Sequence, residues 1–590
     1  MLSTHDKSLI LTLLLFSFLL YFNSFQVPFY FDDNHMIGNN LFIKDSKYFH
    51  KFFTGYVTSF PIPKGMCRPL LMLTFALNYF GGKLNPLGYH ITNTLIHFLN
   101  GIFLYSLLKF LKKSIPPLLI FFITLLFLSH PINTEAVVYL SSRSDLLVTL
   151  FIGLSFLCYL KRRYFLSLLL YIFSLLSKEV GLCLPILILA YDYIYSNRFN
   201  PLFLFKQWKK EKKVYFYLGL LTLTLLYLLY KNIYFKPPSP SLPLRSYYSN
   251  FLIQSGVTFF YLKLFLWPHP LNLIHYFPSL ETIFEPLSLL SVTGLILLVV
   301  IIFTTKKRYP LVSFGIAWYL IGLLPKFYAR LNFVAMEHHF YLPSIGIYLL
   351  LLLFTEKLFL NYRWLFLYVT GGVISVFIVL VWFRNYEYQN QLRFWELASR
   401  REPRVAGNYV GLGIEYMKRK ELNKAEDMLK KGVVIALASS DKREAWYGKV
   451  NLAIAYVKNK KFEKALSIVK DLSKKPPRHY KIYQILAEIY QNQGREEEAL
   501  KVWYKILEIY PYSHQTYESL TNFYLKKRKL DKVKIYAQKA IEVNPNSYFS
   551  HFALGYVFDA EGKLDLAVKF YKTSIHLNPN FFYTHYLLGS

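Results

Sequence analysis

The chain has 590 residues, 54% of them hydrophobic, and a mean hydropathy of +0.28, which is too apolar for a soluble protein of this length. Most of it belongs in lipid. The net charge of +33 suggests nucleic acid at first sight, but many Lys and Arg residues sit in short loops between apolar runs, where they set membrane topology, so nucleic acid is not expected as a partner.

Runs of about 15 to 20 apolar residues are enough to cross the hydrocarbon with modest tilt. They start near positions 8, 90, 116, 143, 164, 180, 214, 251, 286, 310, 341 and 365. The first, Ser8 to about Phe25, is followed by no small-residue cleavage site and reads as a retained helix. Lys109 with Lys112 and Lys113, Lys161 to Arg163, Lys206 to Lys213, and Lys306 to Arg308 are expected on the cytoplasmic side. Twelve crossings would put Lys306 to Arg308 outside, so one segment is expected not to cross. Residues 251 to 267, with Gln254, Lys263 and Trp267-Pro268-His269-Pro270, are the best suspect for a lateral or re-entrant helix. Eleven spans then leave the N-terminus cytoplasmic and everything after Phe383 outside.

From about Arg384 the membrane pattern stops and charged residues alternate with apolar ones at helical period. Ala453, Ala487, Thr521, Gly555 and Gly589 follow one another at 34-residue intervals. Tyr456, Tyr490, Tyr524 and Phe558, then Ala465, Ala499, Val533 and Ala567, then Pro477, Pro511, Pro545 and Pro579 repeat in step with them. Small residues let two helices approach, the aromatic fills the gap, and the proline ends the second helix. The pattern resembles the tetratricopeptide repeat. An earlier unit at Gly413, Tyr416 and Ala425 fits, and Trp395, Ala398 and Pro403 read as the second helix of a degenerate leading repeat. The chain ends inside a further unit, as expected of a fragment or of an open end that meets a partner.

Ionisable residues recur at the loops on the side predicted to be outside. After the first span come Tyr30-Phe31-Asp32-Asp33-Asn34-His35 and then Arg68-Pro69-Leu70. Either aspartate is placed to take a proton from an acceptor hydroxyl attacking a lipid-linked sugar, with Arg68 on the leaving phosphate. The structural alternative is a helix cap beginning near Asn34. Further along stand His130, Glu135, Arg143 with Asp145, Lys178-Glu179, and Glu337-His338-His339. Such residues at membrane depth are expensive, and a shared polar cavity is the economical reason for them. For Lys178-Glu179 the alternative is a local pair or a snorkelling helix end. His90, Asn93 and His97 read as interhelical hydrogen bonding. Three cysteines (Cys67, Cys158, Cys183) without Cys-x-x-Cys or Cys/His spacing indicate neither disulfides nor a metal site.

These residues resemble the transmembrane and tetratricopeptide-repeat-containing O-mannosyltransferases of the GT-C glycosyltransferase superfamily, in a bacterial-type form. The likeness rests on the Asp-Asp pair with Ile37 and Asn39, Arg68-Pro69-Leu70 with Leu73-Thr74-Phe75 and Asn78-Tyr79, and Tyr89-His90 with Asn93 and His97. It continues through His130-Pro131 with Thr134-Glu135-Ala136-Val137, Arg143 with Asp145-Leu146-Leu147, Lys178-Glu179 with Gly181, Tyr341-Leu342-Pro343-Ser344, and Arg384-Asn385 before the repeats. Asp145 and Ala335-Met336-Glu337-His338-His339 depart from the usual Glu and Ala-Glu-Arg patterns, which puts the role of Glu337 in question. The resemblance implies inverting transfer from a polyprenyl-phosphate sugar to a hydroxyl on the non-cytoplasmic face, an aspartate base at position 32 or 33, and no metal.

The expected architecture is therefore all-α. A GT-C-type bundle over 1-383, with about eleven spans and a lateral helix, precedes a tetratricopeptide-repeat solenoid of about five full repeats over 384-590. The expected activity moves a hexose, mannose or similar, from a polyprenyl phosphate to Ser or Thr of an exported protein held in the repeat groove, without a cofactor. Arg68, Lys178 and Arg143 are expected on the donor phosphate, and His130, Glu135, Glu179 and Glu337 around the pocket. The expected location is the cell inner membrane, with the repeats outside the cytoplasm. Alternatives are transfer to envelope lipid or polysaccharide, and a non-catalytic scaffold, which needs fewer buried charges. A secondary transporter is disfavoured because no matching halves are visible.

Overall fold

Prolines punctuate this chain. Pro69, Pro86, Pro117, Pro286 and Pro310 each stand in the first turn of a helix, where a missing N–H costs nothing and the fixed φ favours the turn. A computed structural model describes residues 4–58, 66–112, 114–195, 213–235, 245–331, 333–439, 442–474 and 479–589. Lys113, nearly all of the basic stretch Lys206 to Lys213, and Pro477 lie outside the described residues.

Every regular element among the described residues is helical. In chain order the longer ones of the first part are α1 (Thr4–Tyr21), α2 (Pro69–Gly82), α3 (Pro86–Leu111), α4 (Pro117–Ser129), α5 (Thr134–Val138), α6 (Arg143–Leu160), α7 (Tyr164–Ser177) and α8 (Cys183–Tyr195). There follow α9 (Lys213–Tyr234), α10 (Tyr247–Leu266), α11 (Pro286–Thr305), α12 (Pro310–Tyr328), α13 (Tyr341–Asn361), α14 (Arg363–Tyr388), α15 (Gln391–Arg401) and α16 (Ala406–Lys418).

Among the described residues, eight helices are long and apolar enough to cross a membrane. A ninth crossing arises if Pro117–Ser129 and Pro131–Val138, bent by 49°, count as one. The protein is thus an integral membrane protein. Two of the expected crossings are short: α7 has 14 residues and α8 has 13, a rise of only about 20 Å against a hydrocarbon core of about 30 Å. The segment expected to lie laterally is α10, which is not among the candidate crossings. It buries Ser249, Asn250, Gln254, Ser255 and Thr258 against protein.

Polar contacts and small residues hold the bundle where lipid offers no hydrophobic drive. α12 and α13 cross with their backbones in contact, so that a Cβ added at Gly346 would lie 2.3 Å from the Gly315 carbonyl oxygen. Asp192 of α8 accepts hydrogen bonds from Tyr159 of α6 (2.6 Å) and Tyr217 of α9, and pairs with Lys213 at 2.7 Å. His90 contacts the Val27 carbonyl at 2.9 Å, His97 the Tyr341 hydroxyl at 2.6 Å, and Asn93 donates to the Val137 carbonyl at 2.9 Å. All three hold helices together.

The first compact unit does not stop at residue 383; it continues to Leu412, and the second begins at Gly413. α14 runs on to Tyr388, and the charged residues that looked like the start of a solvated domain are buried instead. Arg384 donates to the Leu271 carbonyl (3.1 Å) and to Glu387 (3.1 Å), and Arg401 of α15 donates to the same Glu387 at 2.8 Å. This charge network, not lipid contact, ties α14 and α15 into the first unit.

The second unit is a tetratricopeptide-repeat array of paired helices. These are α17 (Leu422–Ala438), α18 (Lys442–Lys458), α19 (Phe462–Lys474), α20 (Tyr480–Asn492), α21 (Glu496–Ile509), α22 (His514–Lys526), α23 (Leu530–Val543), α24 (Tyr548–Ala560), α25 (Leu564–Leu577) and α26 (Phe582–Gly589). Ala465, Ala499, Val533 and Ala567 are all buried where paired helices meet. Pro511, Pro545 and Pro579 each follow two residues after the ends of α21, α23 and α25. Gly555 faces Tyr571, whose ring would lie 2.5 Å from an added Cβ. Gly555→Val therefore overpacks the α24–α25 contact by about 1–3 kcal/mol, read as a lower thermal midpoint for the repeat helices in circular dichroism.

Candidate active site

Beyond α1 and a short 3₁₀ turn (Phe22–Ser24) the chain runs extended to Tyr30, and Phe31 then takes a left-handed backbone conformation, φ 51°. That turn sends Asp32 and Asp33 in different directions. Asp33 is fully buried, and its Oδ1 accepts from the Ser141 backbone N–H (2.7 Å) and hydroxyl (2.5 Å). Burial pushes its carboxyl up to about 7, against the pull of the Ser141 hydrogen bonds. It precedes a π-helical turn (Asn34–Gly38) but makes no side-chain cap to it, so the capping alternative does not describe its carboxylate.

Asp32 is exposed to solvent. Its carboxyl is nevertheless raised above the ordinary range by desolvation, while the Tyr139 hydroxyl, His35 and Arg68 pull it down. The Asp32 carboxyl thus lies at the boundary between water and protein, with the buried Tyr139 among the groups that act on it.

Arg68 connects this acid to a group of buried and half-buried ionisable residues. Arg68, half-buried at the start of α2, leaves its Nε without a hydrogen-bond partner among the described residues. Its field reaches Asp32, Lys178, Glu179 and Lys326. Lys178, after α7, pairs with Asp145 at 2.5 Å. Burial lowers its ammonium, and Asp145 opposes that. Glu179 accepts from the Cys67 N–H (3.2 Å) and pairs with Lys231 (3.3 Å). Burial pushes its carboxyl up, but Arg68 and Lys231 outweigh that and hold it below the usual range.

Lys326, in the last turn of α12, completes the group and was not expected from the sequence. Its side chain is buried within the fields of Lys178, Asp145, Arg68 and Glu179. Among the described residues no carboxylate lies within ion-pair distance of it. In sequence it looks like a helix-end lysine reaching for the interface; its only signal is a charge inside an apolar run.

Two expected site residues are used elsewhere. Arg143 is fully buried and committed: Nε donates to Asn93 (2.6 Å), Nη1 to Thr74 (3.1 Å) and Asn78 (2.7 Å), and Nη2 to the Tyr89 carbonyl (2.9 Å). It joins α2, α3 and α6 and offers a phosphate nothing. His130 accepts from the Ile132 N–H (3.3 Å), contacts the Phe265 carbonyl (2.9 Å) and stacks on the Phe265 ring at 4.8 Å. It caps the bend between α4 and α5 rather than lining a pocket.

Glu135 and Glu337 form a second buried group. Glu135 accepts from the Glu337 N–H (2.8 Å) and meets His338 Nδ1 at 2.6 Å, while His338 Nε2 lies 3.9 Å from Asp145. This histidine thus links Glu135 to the Lys178 pair. Glu337 turns away, toward the Asn272 N–H (2.5 Å), His275 (3.1 Å) and Arg384 (3.7 Å). Its place is structural.

The chain is 32% identical over 322 residues to a protein O-mannosyl-transferase, tmtc2, of Xenopus laevis, covering 49% of this chain and 38% of the relative. It is 31% identical over 212 residues to TMTC4 of Homo sapiens (30% and 28%) and 35% over 148 residues to TMTC2 of Mus musculus (24% and 17%). The matched region spans less than two fifths of these relatives' lengths. Residues 449–579 match the family described as ChAPs (Chs5p-Arf1p-binding proteins). Among solved structures, YrrB, a TPR protein, aligns with 33% of this chain and 98% of its own at 13% identity, TM-score 0.25. PilF of Pseudomonas aeruginosa aligns with 30% and 79% at 18% identity, TM-score 0.27.

Arg143→Met strands the polar groups around the guanidinium and lowers unfolding stability by about 3–5 kcal/mol, measured in detergent; Arg68→Met, with no such partners, costs far less. Asp33 binds its proton more tightly folded than unfolded, so its contribution to stability is full below the unfolded pKa and falls as pH rises from about 4 to about 7. Asp33→Asn removes that slope from a stability-against-pH curve.

Proposed function

We propose that this chain is a glycosyltransferase of GT-C type that moves a hexose, mannose first, from a polyprenyl phosphate to Ser or Thr hydroxyls of exported proteins. Similarity over about half the chain to named protein O-mannosyl-transferases supports a protein acceptor over an envelope polysaccharide. The observation that carries the chemistry is the exposed Asp32 carboxyl within the field of Arg68, whose Nε has no hydrogen-bond partner among the described residues.

In this reading Asp32 is the base and Asp33 its anchor. The acceptor hydroxyl loses its proton to Asp32 as its oxygen bonds to the anomeric carbon, and the bond from that carbon to the phosphate oxygen breaks on the opposite face. One displacement inverts the configuration. The leaving phosphate gains the negative charge, and Arg68, Lys178 and Lys326 receive it in place of water. Lys178 keeps Asp145 as counter-ion, whereas Arg68 Nε has no partner and Lys326 has no carboxylate within ion-pair distance among the described residues. A base raised toward the working pH transfers protons more effectively than an ordinary aspartate. The repeat array serves to concentrate the acceptor polypeptide, and the Asp32 carboxyl stands on the non-cytoplasmic face of the membrane.

Asp32→Asn should lower kcat by about 10²–10⁴-fold in a membrane assay with a polyprenyl-phosphate hexose and a Ser/Thr peptide. Wild-type rates would remove the base. The acid limb of the pH profile should stand above the ordinary aspartate range, because activity is lost as pH falls through the raised carboxyl. Lys326→Met should weaken the donor about ten- to a hundredfold, one charged hydrogen bond, with little change in acceptor KM.

A further inference from the structure

Phe31 is an aromatic residue with φ 51°, a conformation that side chains with a Cβ avoid and that persists only where the surroundings impose it. It immediately precedes Asp32, so the direction of that carboxylate depends on this turn. Aromatic packing and one hydrogen bond hold the turn. The Phe31 ring packs at 6.1 Å from each of Tyr139, Phe333 and Trp395. Next to it, Tyr30 packs on Tyr139 and Tyr388 at 5.3 Å and on Phe394 at 5.8 Å. One residue further back, the Phe29 carbonyl accepts from Gln391 Nε2 at 2.7 Å. Gln391, Phe394 and Trp395 all belong to α15.

Three consecutive residues before Asp32 are therefore gripped by one short helix that carries no chemistry of its own. Trp395 is itself confined: it is buried, and a Cβ added at Gly411 of α16 would stand 2.6 Å from the indole.

We propose that α15 is the element that aims the base, with Trp395 acting through Phe31 to keep the left-handed turn that leaves Asp32 facing solvent while Asp33 faces Ser141. Phe31 and Trp395 are positioning residues and touch no substrate. If the grip is lost, the turn relaxes to negative φ and the carboxylate moves away from the attacking hydroxyl. This rests on Asp32 being the base.

The test uses full-length protein in membranes, the donor and acceptor above, and separate kcat and KM values. Trp395→Ala should lower kcat on the order of ten- to a hundredfold with both KM values changed less than about threefold, and Trp395→Phe should recover most of the loss. Gly411→Ala, which crowds and displaces the indole, should lower kcat in the same way. At position 31 glycine adopts the left-handed turn freely, so Phe31→Gly should retain more activity than Phe31→Ala; simple loss of packing gives no such advantage to glycine. The double variant Phe31→Ala with Trp395→Ala should be no slower than the slower single, since both break one link. Wild-type kcat in Phe31→Ala and Trp395→Ala alongside an inactive Asp32→Asn would overturn the positioning role and leave the base intact, as would losses that multiply in the double variant. An active Asp32→Asn would instead remove the base. Should Trp395→Ala not fold, the order of the Gly and Ala variants at position 31 decides.

Discussion

Two hydrogen bonds from Ser141 to one carboxylate oxygen fix the first loop of this protein to the start of α6. A buried acid is costly to ionise, and a backbone N–H with a hydroxyl offsets part of that cost. Once Asp33 is held there, the left-handed turn at Phe31 leaves its neighbour facing water. Two adjacent, chemically identical side chains thereby acquire opposite environments: one is buried and hydrogen-bonded, the other faces solvent.

The same division runs through the charges of the membrane part. Asp192 and Arg143 are surrounded by partners and hold helices together. Arg68 Nε has no partner, and no carboxylate lies within ion-pair distance of Lys326 among the described residues. In a low-dielectric bundle a compensated ion is structure, whereas donors left over are capacity for an arriving anion. Lys178 stands between the two cases, paired with Asp145 and joined through His338 to Glu135.

Legibility followed the physics of each feature. The repeat array could be read residue by residue because each unit must present a small residue, an aromatic and a helix stop at the same places, and the helices of α20 to α25 begin and end accordingly. Membrane helices were legible where a long apolar run was its own evidence, less so at α7 and α8, which are short. The boundary at 384 misled because Arg384 and Glu387 are charged yet buried, in a network with the half-buried Arg401, and composition cannot distinguish a solvated charge from a buried one. For the same reason Arg143 looked like a ligand and Lys326 like a helix end.

The amino-acid sequence by itself determined the all-helical class, the membrane and repeat halves, and the short set of acids and bases from which a site can be built, because periodicity and composition are local properties of the chain. Only the tertiary structure decided which member of each set is free: Asp32 rather than Asp33, Lys326 and Arg68 rather than Arg143. That choice is made by partners such as Ser141, Asn93 and Trp395, which lie far away along the chain and come near only on folding.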